Sequence, residues 1–252
     1  MKHKIILPIL LISSIFLTSC GDFSNIKKNQ LVVEKLDKNI TSTSDIVNGK
    51  KILTEEEAKL KALECLEKYF KVKLYLTEVG SDVQFISSSM LKKDLERINP
   101  SSYSKTQLEY SKSVLENGLY NVDFFTRTET QAQDTNFTYF SMKIDSKTGE
   151  CIYFINKDNK SISSLSSIID INEAKKIAKE FILKNNIGNI KNVKFVNQNL
   201  SIKGPVGYSL VFEDADEVGK KVMISIDGNT KKIYGFSIGV MEIIQSNSGW
   251  YK

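Results

Sequence analysis

The sequence predicts an α+β protein made of two tandem units, each a helix packed on an antiparallel β-sheet. Two amphipathic helical stripes, beginning near residues 54 and 170, repeat each other, and alternating strand patterns follow each stripe. Each unit covers about 100 residues, which is long enough to bury a core of its own. We therefore expect a duplicated fold.

The first helix is predicted to begin at Thr54, because Thr54 and Glu57 form the T-x-x-E pattern of a capping box. The second is predicted to begin near Asp170. Apolar residues in both recur at spacings of three and four, which is typical of one buried face. The two stripes match at a constant spacing of 116 positions, pairing Ala58 with Ala174, Ala62 with Ala178 and Cys65 with Phe181.

The strands and turns repeat at a different spacing. The turn that begins at Asp145 matches the turn that begins at Asp227, which is 82 positions later. The difference between 116 and 82 predicts 34 additional residues in the first unit, and we attribute them to an insertion whose helical part lies at about 95–118. The predicted division of the chain is a signal peptide at 1–19, a lipidated cysteine and flexible tether at 20–50, unit 1 at 51–158, unit 2 at 168–244 and a C-terminal tail at 245–252.

The N-terminus has the pattern of an export signal. Lys2 and Lys4 precede an apolar run at 5–17 that is too short to cross a bilayer as a helix. The run ends in Leu-Thr-Ser-Cys-Gly at 17–21, which resembles the lipobox of bacterial lipoproteins. That resemblance implies a diacylglyceryl group on Cys20, and two acyl chains are sufficient for stable anchoring. We expect a lipid-anchored protein on the extracytoplasmic face of the cell membrane.

Composition excludes several functions for the cleaved chain. Removing Lys2 and Lys4 from 35 basic side chains leaves 33 against 30 acidic ones, a charge of only +3. Arg97 and Arg127 are the two arginines, so the bidentate contacts that favour nucleic acid are scarce. The one histidine, His3, lies in the signal peptide, which argues against His-dependent triads and zinc sites. We predict no catalytic residue, no metal, no cofactor and no nucleic-acid partner.

The repeat resembles the PepSY domain over most of residues 53–240. The resemblance depends on short motifs: Glu57-Ala58 with Ala62, Ile144-Asp145 with Thr148-Gly149, Glu173-Ala174 with Ala178, Gly207-Tyr208 with Leu210, and Ile226-Asp227 with Ile233 and Gly235. The first unit departs from the family by its insertion, and the second has Lys231 where Gly149 closes the first turn. PepSY domains occur in propeptides of thermolysin-like proteases and in envelope and germination proteins of Gram-positive bacteria. Membership would imply a binding module and not an enzyme.

Two carboxylate patterns are candidate sites. Glu213–Glu217 places four carboxylates in five positions, which suits Ca²⁺, but it lacks the glycine and terminal glutamate of an EF-hand and favours a solvated hairpin tip. Asp145 and Asp227 occupy equivalent turns, where paired carboxylates raise the question of acid/base chemistry. Asp at the first turn position typically accepts hydrogen bonds from its own turn, and we favour that interpretation.

Tyr103 and Tyr110 in the insertion are the candidate partner-binding residues, since additions to a scaffold often carry function. Trp250 and Tyr251 in the tail are a weaker candidate. Cys65 and Cys151 fall at apolar positions, which favours two buried thiols, although an exported protein also permits a disulfide.

These observations predict a membrane-anchored extracytoplasmic binding protein that inhibits or regulates an envelope peptidase or peptidoglycan hydrolase. The alternative is a small-ligand or lipid-binding lipoprotein that uses the concave face of its sheets. An apolar cavity of about 300 Å³ or more would favour the ligand, whereas filled sheets would favour a protein partner.

Overall fold

The structure, a computed structural model, describes residues 46–47, 50–129, 135–158, 168–201 and 207–247. The predicted signal peptide, Cys20, Trp250 and Tyr251 lie outside the described residues. Among the residues that are described, no helix has the length and apolar character needed to cross a membrane.

The described residues form helices and strands in an α+β arrangement, as predicted. The helices are α1 (Glu55–Cys65), α2 (Ser88–Glu96), α3 (Lys105–Glu109), α4 (Lys112–Asn117), α5 (Ile171–Asn185) and α6 (Val240–Asn247). A π-helical turn at Leu66–Phe70 continues α1, and 3-10 turns lie at Pro100–Ser102 and Ile187–Asn189. The strands are β1 (Ile46–Val47), β2 (Lys50–Lys51), β3 (Gly80–Ile86), β4 (Leu119–Glu129), β5 (Thr135–Asp145), β6 (Cys151–Asp158), β7 (Val193–Ser201), β8 (Gly207–Asp214), β9 (Lys221–Asp227) and β10 (Ile233–Ile238).

Eight strands form one continuous antiparallel sheet, not one sheet for each unit. Their order is β3-β4-β5-β6-β10-β9-β8-β7, and β1 pairs with β2 separately. The last strand of the first half, β6, pairs with the last strand of the second half, β10. The first half (β3–β6 with α1) and the second half (β7–β10 with α5) therefore meet edge to edge, with equivalent strands placed symmetrically about the junction.

Both long helices begin where the sequence predicts. The Thr54 hydroxyl accepts a hydrogen bond from the Glu57 amide, and the Thr54 amide donates to Glu57 Oε2, so the capping box is confirmed. Asp170 caps α5 by accepting from the amides of Asn172 and Glu173. Each cap satisfies amides that the first helical turn would otherwise leave unpaired.

Backbone hydrogen bonds occur at equivalent positions in the two halves. Leu53 N donates to Ser146 O, and Ile169 N, which is 116 positions after Leu53, donates to Gly228 O, which is 82 positions after Ser146. Each bond joins the entry to a long helix to a strand-connecting turn. The two spacings found in the sequence thus describe matching tertiary contacts.

The strand register shows that the additional residues of the first half lie in two places. Phe85 pairs with Tyr120, and Leu200 pairs with Tyr208. The spacing of equivalent residues therefore falls from 115 (Phe85 to Leu200) to 88 (Tyr120 to Tyr208) between the first two strands. It falls again to 82 (Ile144 to Ile226) across the next hairpin. Helices α2 to α4 supply most of the extra length, and a longer β4–β5 hairpin supplies the remainder.

The core lies between the sheet and helices α1 and α5, where Ala58, Ala62, Ala174 and Ala178 have no exposed surface. At the junction of the two halves the core consists of aromatic side chains and not of alanines. Its members are Tyr69, Phe70, Phe140, Phe154, Phe181 and Phe236, with the rings of Phe70 and Phe154 stacked at 3.8 Å and those of Tyr69 and Phe236 edge to face at 5.3 Å. The cluster joins the two halves into one core.

Several elements were not predicted. The edge strands β3 and β7 carry mostly polar or half-buried residues, so they lack a clear alternating signal. Helix α2 begins at Ser88, ahead of the predicted insertion start at 95, and its Leu91 and Leu95 are buried in the core. Helix α6 continues to Asn247, past the predicted unit boundary at 244.

Candidate binding surface

The sheet has an outer face, turned away from α1 and α5. Phe154 packs against Phe70 at the end of α1, so Phe154 and its cross-strand neighbours Met142 and Val122 face the helices. Successive residues of a strand point to opposite sides, so the residues that flank these three point outward. The outer-face cluster of the first half consists of Asn121, Asp123, Phe125, Tyr139, Ser141, Lys143 and Tyr153.

A chain of polar contacts connects this cluster. The Lys143 ammonium donates to Asn121 Oδ1 at 2.8 Å, and Asn121 Nδ2 donates to Asp123 Oδ2 at 3.0 Å. Lys143 Nζ also lies 5.3 Å from the centre of the Tyr153 ring, within cation–π range. The three strands β4, β5 and β6 thus present one connected polar and aromatic surface.

Aromatic rings border the polar chain on its other side. Phe125 and Tyr139 are directly opposite in the β4–β5 ladder, and their ring centres are 5.2 Å apart. Phe125 is 41% exposed, although Phe is usually buried. Partial burial, the hydrogen bond to Asp123 and the charge of Asp82 raise the pKa of Tyr139 to about 12, so its hydroxyl stays protonated.

The second half places different residues at the equivalent outer positions. Where the first half pairs Asn121 with Lys143, the second pairs Ser209 with Ser225, and Tyr153 corresponds to Gly235. Three of the second-half outer positions are also covered. Ser209, Ser225 and Ser237 are at most 3% exposed, and Ser246 of α6 lies 3.9 Å from Met223, an outer residue of β9. The fold therefore does not require the charged and aromatic cluster of the first half.

The structure separates the two predicted partner-binding tyrosines. Tyr103 is half-buried and packs against the core. Tyr110 is 44% exposed, and its hydroxyl donates to Glu217 Oε2 at 3.1 Å. Loss of solvent, followed by the hydrogen bond to the Glu217 carboxylate, raises the pKa of Tyr110. Tyr110 thus contacts the acidic hairpin that the sequence singled out independently.

The insertion docks on the second half. A side chain at Gly219 would meet Thr106 and Ser104 at 3.1–3.3 Å, and one at Gly239 would meet Ser111 Oγ at 2.6 Å. Close approach of this kind needs glycine at both positions. Gln107 Nε2 also lies 3.5 Å from Glu242 Oε2 in a buried contact. Helices α3 and α4 therefore connect the two halves at one end of the sheet.

Glu242 is a buried carboxylate at this contact. It is 4% exposed, and desolvation raises its pKa, although the hydrogen bond from Ser246 and the charge of Lys221 act in the opposite direction. Ser246 Oγ lies 2.8 Å from Glu242 Oε1. The two polar neighbours partly compensate the burial of the group.

Asp145 and Asp227 each accept hydrogen bonds from the backbone of their own turn. Asp145 Oδ1 accepts from the amides of Lys147 and Thr148, and Asp227 Oδ1 accepts from those of Asn229 and Thr230. The turn interpretation is confirmed. Asp145 is additionally buried, at 3% exposure, and accepts a hydrogen bond from Ser113 of the insertion.

The acidic hairpin Glu213–Glu217 is not uniformly solvated, which corrects the sequence interpretation. Asp214 is 1% exposed and accepts from the amides of Lys191 and Asp216, and the bond from Lys191 is the main reason that its pKa is lowered. Glu213 and Glu217 form ion pairs with lysines. Across the described ranges, no group of three or more His, Cys, Asp or Glu side chains is arranged to hold a metal ion.

Surface cavities in the described part of the chain include one near α1 and one near the insertion. The larger, about 260 Å³, lies between α1 and residues 73–75 and is lined by Leu60, Leu63 and Tyr75 among others. The other, about 160 Å³, lies where the insertion meets the Asp145 turn and the start of α6. Neither reaches the 300 Å³ that we set as the mark of a small-ligand pocket.

Comparison with known proteins gives one distant structural likeness. The chain is similar to a solved structure of the Bacillus megaterium YpeB C-terminal domain, with a TM-score of 0.41 and 14% sequence identity over 77% of this chain and 66% of that one. No family model matches the sequence. A search of curated proteins also gives no match.

The outer-face cluster was missed by sequence reasoning. A signal for it exists, since Asn121, Asp123 and Phe125 alternate with the apolar residues of β4. The pattern becomes meaningful only when the pairing of β4 with β5 and β6 brings the polar positions together.

Proposed function

We propose that the protein is a membrane-anchored extracytoplasmic binding protein with two tandem PepSY-like units, and that it binds an envelope protein through the outer-face cluster. The regulated partner would be an envelope peptidase or peptidoglycan hydrolase, as the PepSY resemblance implies. The lipobox at Cys20 supports the location, and the lack of histidine after residue 19 supports a binding role without catalysis.

One observation carries the choice of surface. The cluster carries aromatic rings and a lysine in the first half, with Phe125 exposed and Lys143, Tyr139 and Tyr153 half-buried, whereas Ser209, Ser225 and Gly235 at three equivalent second-half positions are small and buried. Aromatic residues such as Phe and Tyr are enriched at protein interfaces.

Site-specific photo-crosslinking in intact cells tests the proposal. A benzophenone amino acid at Phe125 should give one discrete protein adduct, and the adduct should disappear when Lys143→Ala and Tyr153→Ala are added. The same probe at Val218, which is 72% exposed in the β8–β9 hairpin, is the matched control and should give none.

Two outcomes would contradict the proposed surface. An adduct at Tyr110 that survives the cluster substitutions would move the binding site to the insertion. Absence of any adduct at Phe125 and at the cluster's other positions would exclude the surface. Circular dichroism of each variant establishes whether the fold is retained, which matters most for Tyr153→Ala because Tyr153 is half-buried and packs against the core.

Metabolic labelling with a fatty acid tests the lipid anchor separately. Cys20→Ser should leave the protein unlipidated, and metabolic labelling with a fatty acid should then fail. Incorporation of label into the Cys20→Ser protein would contradict the lipobox prediction while leaving the crosslinking result valid.

A further inference from the structure

Cys65 and Cys151 form a buried pair that neither the fold nor the proposed binding surface explains. Cys65 is the last residue of α1, and Cys151 is the first residue of β6. Their sulfur atoms lie 2.7 Å apart although the residues are 86 positions apart in sequence, and the side chains are only 4% and 6% exposed.

The second half has ordinary apolar residues at the positions equivalent to Cys65 and Cys151, so packing alone does not require cysteine there. Phe181 corresponds to Cys65 at the spacing of 116, and Ile233 corresponds to Cys151 at the spacing of 82. A single buried cysteine behaves as a small apolar residue. Here both residues are cysteine, they are on different elements, and the two sulfur atoms are closer than non-bonded sulfur atoms normally approach.

We propose that Cys65 and Cys151 form a disulfide bond in the exported protein, which would tie α1 to the central strand β6. Disulfides persist in extracytoplasmic compartments, where the lipobox places this chain. The proposal depends on export and does not depend on the partner or on the outer-face cluster.

The reaction requires an external oxidant of the disulfide class, such as a thiol–disulfide oxidoreductase or a small-molecule disulfide. One cysteine thiolate attacks the oxidant's disulfide, which forms a mixed disulfide and releases one oxidant thiolate. The second cysteine thiolate then displaces the other oxidant sulfur. Two protons and two electrons leave the protein, and the oxidant becomes a dithiol or two thiols.

Burial determines when the bond forms. Desolvation raises the pKa of the Cys65 thiol, with the adjacent Cys151 as the next contribution, so little nucleophilic thiolate exists in the folded protein. The bond therefore forms during folding, while the sulfur atoms are still accessible. Once formed, the same burial protects it from reductants.

Thiol counting on the full-length, membrane-extracted protein tests the bond directly. We expect that an alkylating reagent added in denaturant labels neither cysteine unless a reductant is added first, after which it labels both. Peptide mass spectrometry is the readout, because it separates these residues from any unlipidated Cys20 thiol. A digest without reductant should contain one peptide pair that is linked through Cys65 and Cys151.

Thermal unfolding gives a second measurement. Protein reduced in denaturant and refolded should have a Tm lower by roughly 5–15 °C than the oxidised protein. Cys65→Val with Cys151→Val is the matched control, because it keeps an apolar contact and should show no response to reductant. Free thiols in the unreduced protein, or equal Tm values for the two redox forms, would overturn the proposal.

Discussion

The two halves of the sheet share the features that build the fold and differ in features that the fold does not need. Both have a capped helix, a buried pair of alanines, an aspartate-led turn and the same hydrogen bond from the helix entry to that turn. The first half alone has helices α2 to α4, the outer-face cluster and the facing cysteines. The matching features of the second half thus serve as an internal comparison, which directs the search for function to the first half.

The strongest test of the comparison asks whether the halves are independent. Phe154 is 1% exposed and lies at the junction between Phe70 and Phe236, so Phe154→Ala should cost about 3–5 kcal/mol. Denaturant unfolding followed by circular dichroism measures this. We expect the Phe154→Ala protein to unfold in a single transition at a lower denaturant concentration than the native protein.

A control and a contradicting outcome follow from the same strand. Ile155 is half-buried on the outer face and is not part of the aromatic cluster. Ile155→Ala should therefore cost no more than about 1 kcal/mol. If Phe154→Ala instead separates unfolding into two transitions, the halves are independent domains and not one core.

The turn aspartates should differ in strength because the insertion covers one of them. Asp227→Ala removes an acceptor of two amides, and we expect a cost of about 1–2 kcal/mol. Asp145→Ala also leaves Ser113 without its partner in a buried place and should cost about 2–3 kcal/mol. In a Ser113→Ala background, the loss of unfolding free energy caused by Asp145→Ala should approach that caused by Asp227→Ala. Urea unfolding measures both losses. An unchanged gap would mean that the insertion is not its cause.

The insertion contact should depend on pH through Glu242. Because burial raises its folded-state pKa above the ordinary 4.5, the folded protein binds this proton more tightly, and ionisation destabilises it as pH rises. Glu242→Gln should match the native protein in Tm below about pH 4.5 and become the more stable of the two as pH increases.

Differential scanning calorimetry between pH 4 and 8 measures that difference. Glu96→Gln, which removes an exposed carboxylate on α2, is the control for net charge and should give a flat difference. A Glu242→Gln protein that is less stable at high pH would show that the ionised carboxylate stabilises the contact.

The smallest expected effect concerns a turn position where the halves share the same backbone conformation but differ in the residue that adopts it. Gly149 and Lys231 both have positive φ, at 73° and 60°, which costs a lysine about 1 kcal/mol. The exposed ion pair of Lys231 with Glu173 offsets little of that cost. Lys231→Gly should therefore stabilise the protein by about 0.5 kcal/mol in denaturant unfolding, whereas Gly149→Ala should destabilise it by about 1 kcal/mol.

Much of the fold could be predicted because it is encoded locally. The helix starts at Thr54 and Asp170 follow from capping chemistry, and the turns at Asp145 and Asp227 follow from side chains that bond their own backbone. The edge strands β3 and β7 could not be predicted, since they pair on one side only and lack a distinct alternation. The proposed site was equally hidden, because its residues come from three strands.

By itself the sequence determined the capped helices, the turns and the lipobox pattern, each of which depends on residues within a few positions of one another, and the two spacings at which the local patterns recur. The tertiary structure alone decided that the halves share one sheet through β6 and β10, that Tyr110 reaches Glu217, and that Cys65 faces Cys151. These contacts join residues about 80 or more positions apart. Strand register and the docking of the insertion bring them together, and no local pattern records either.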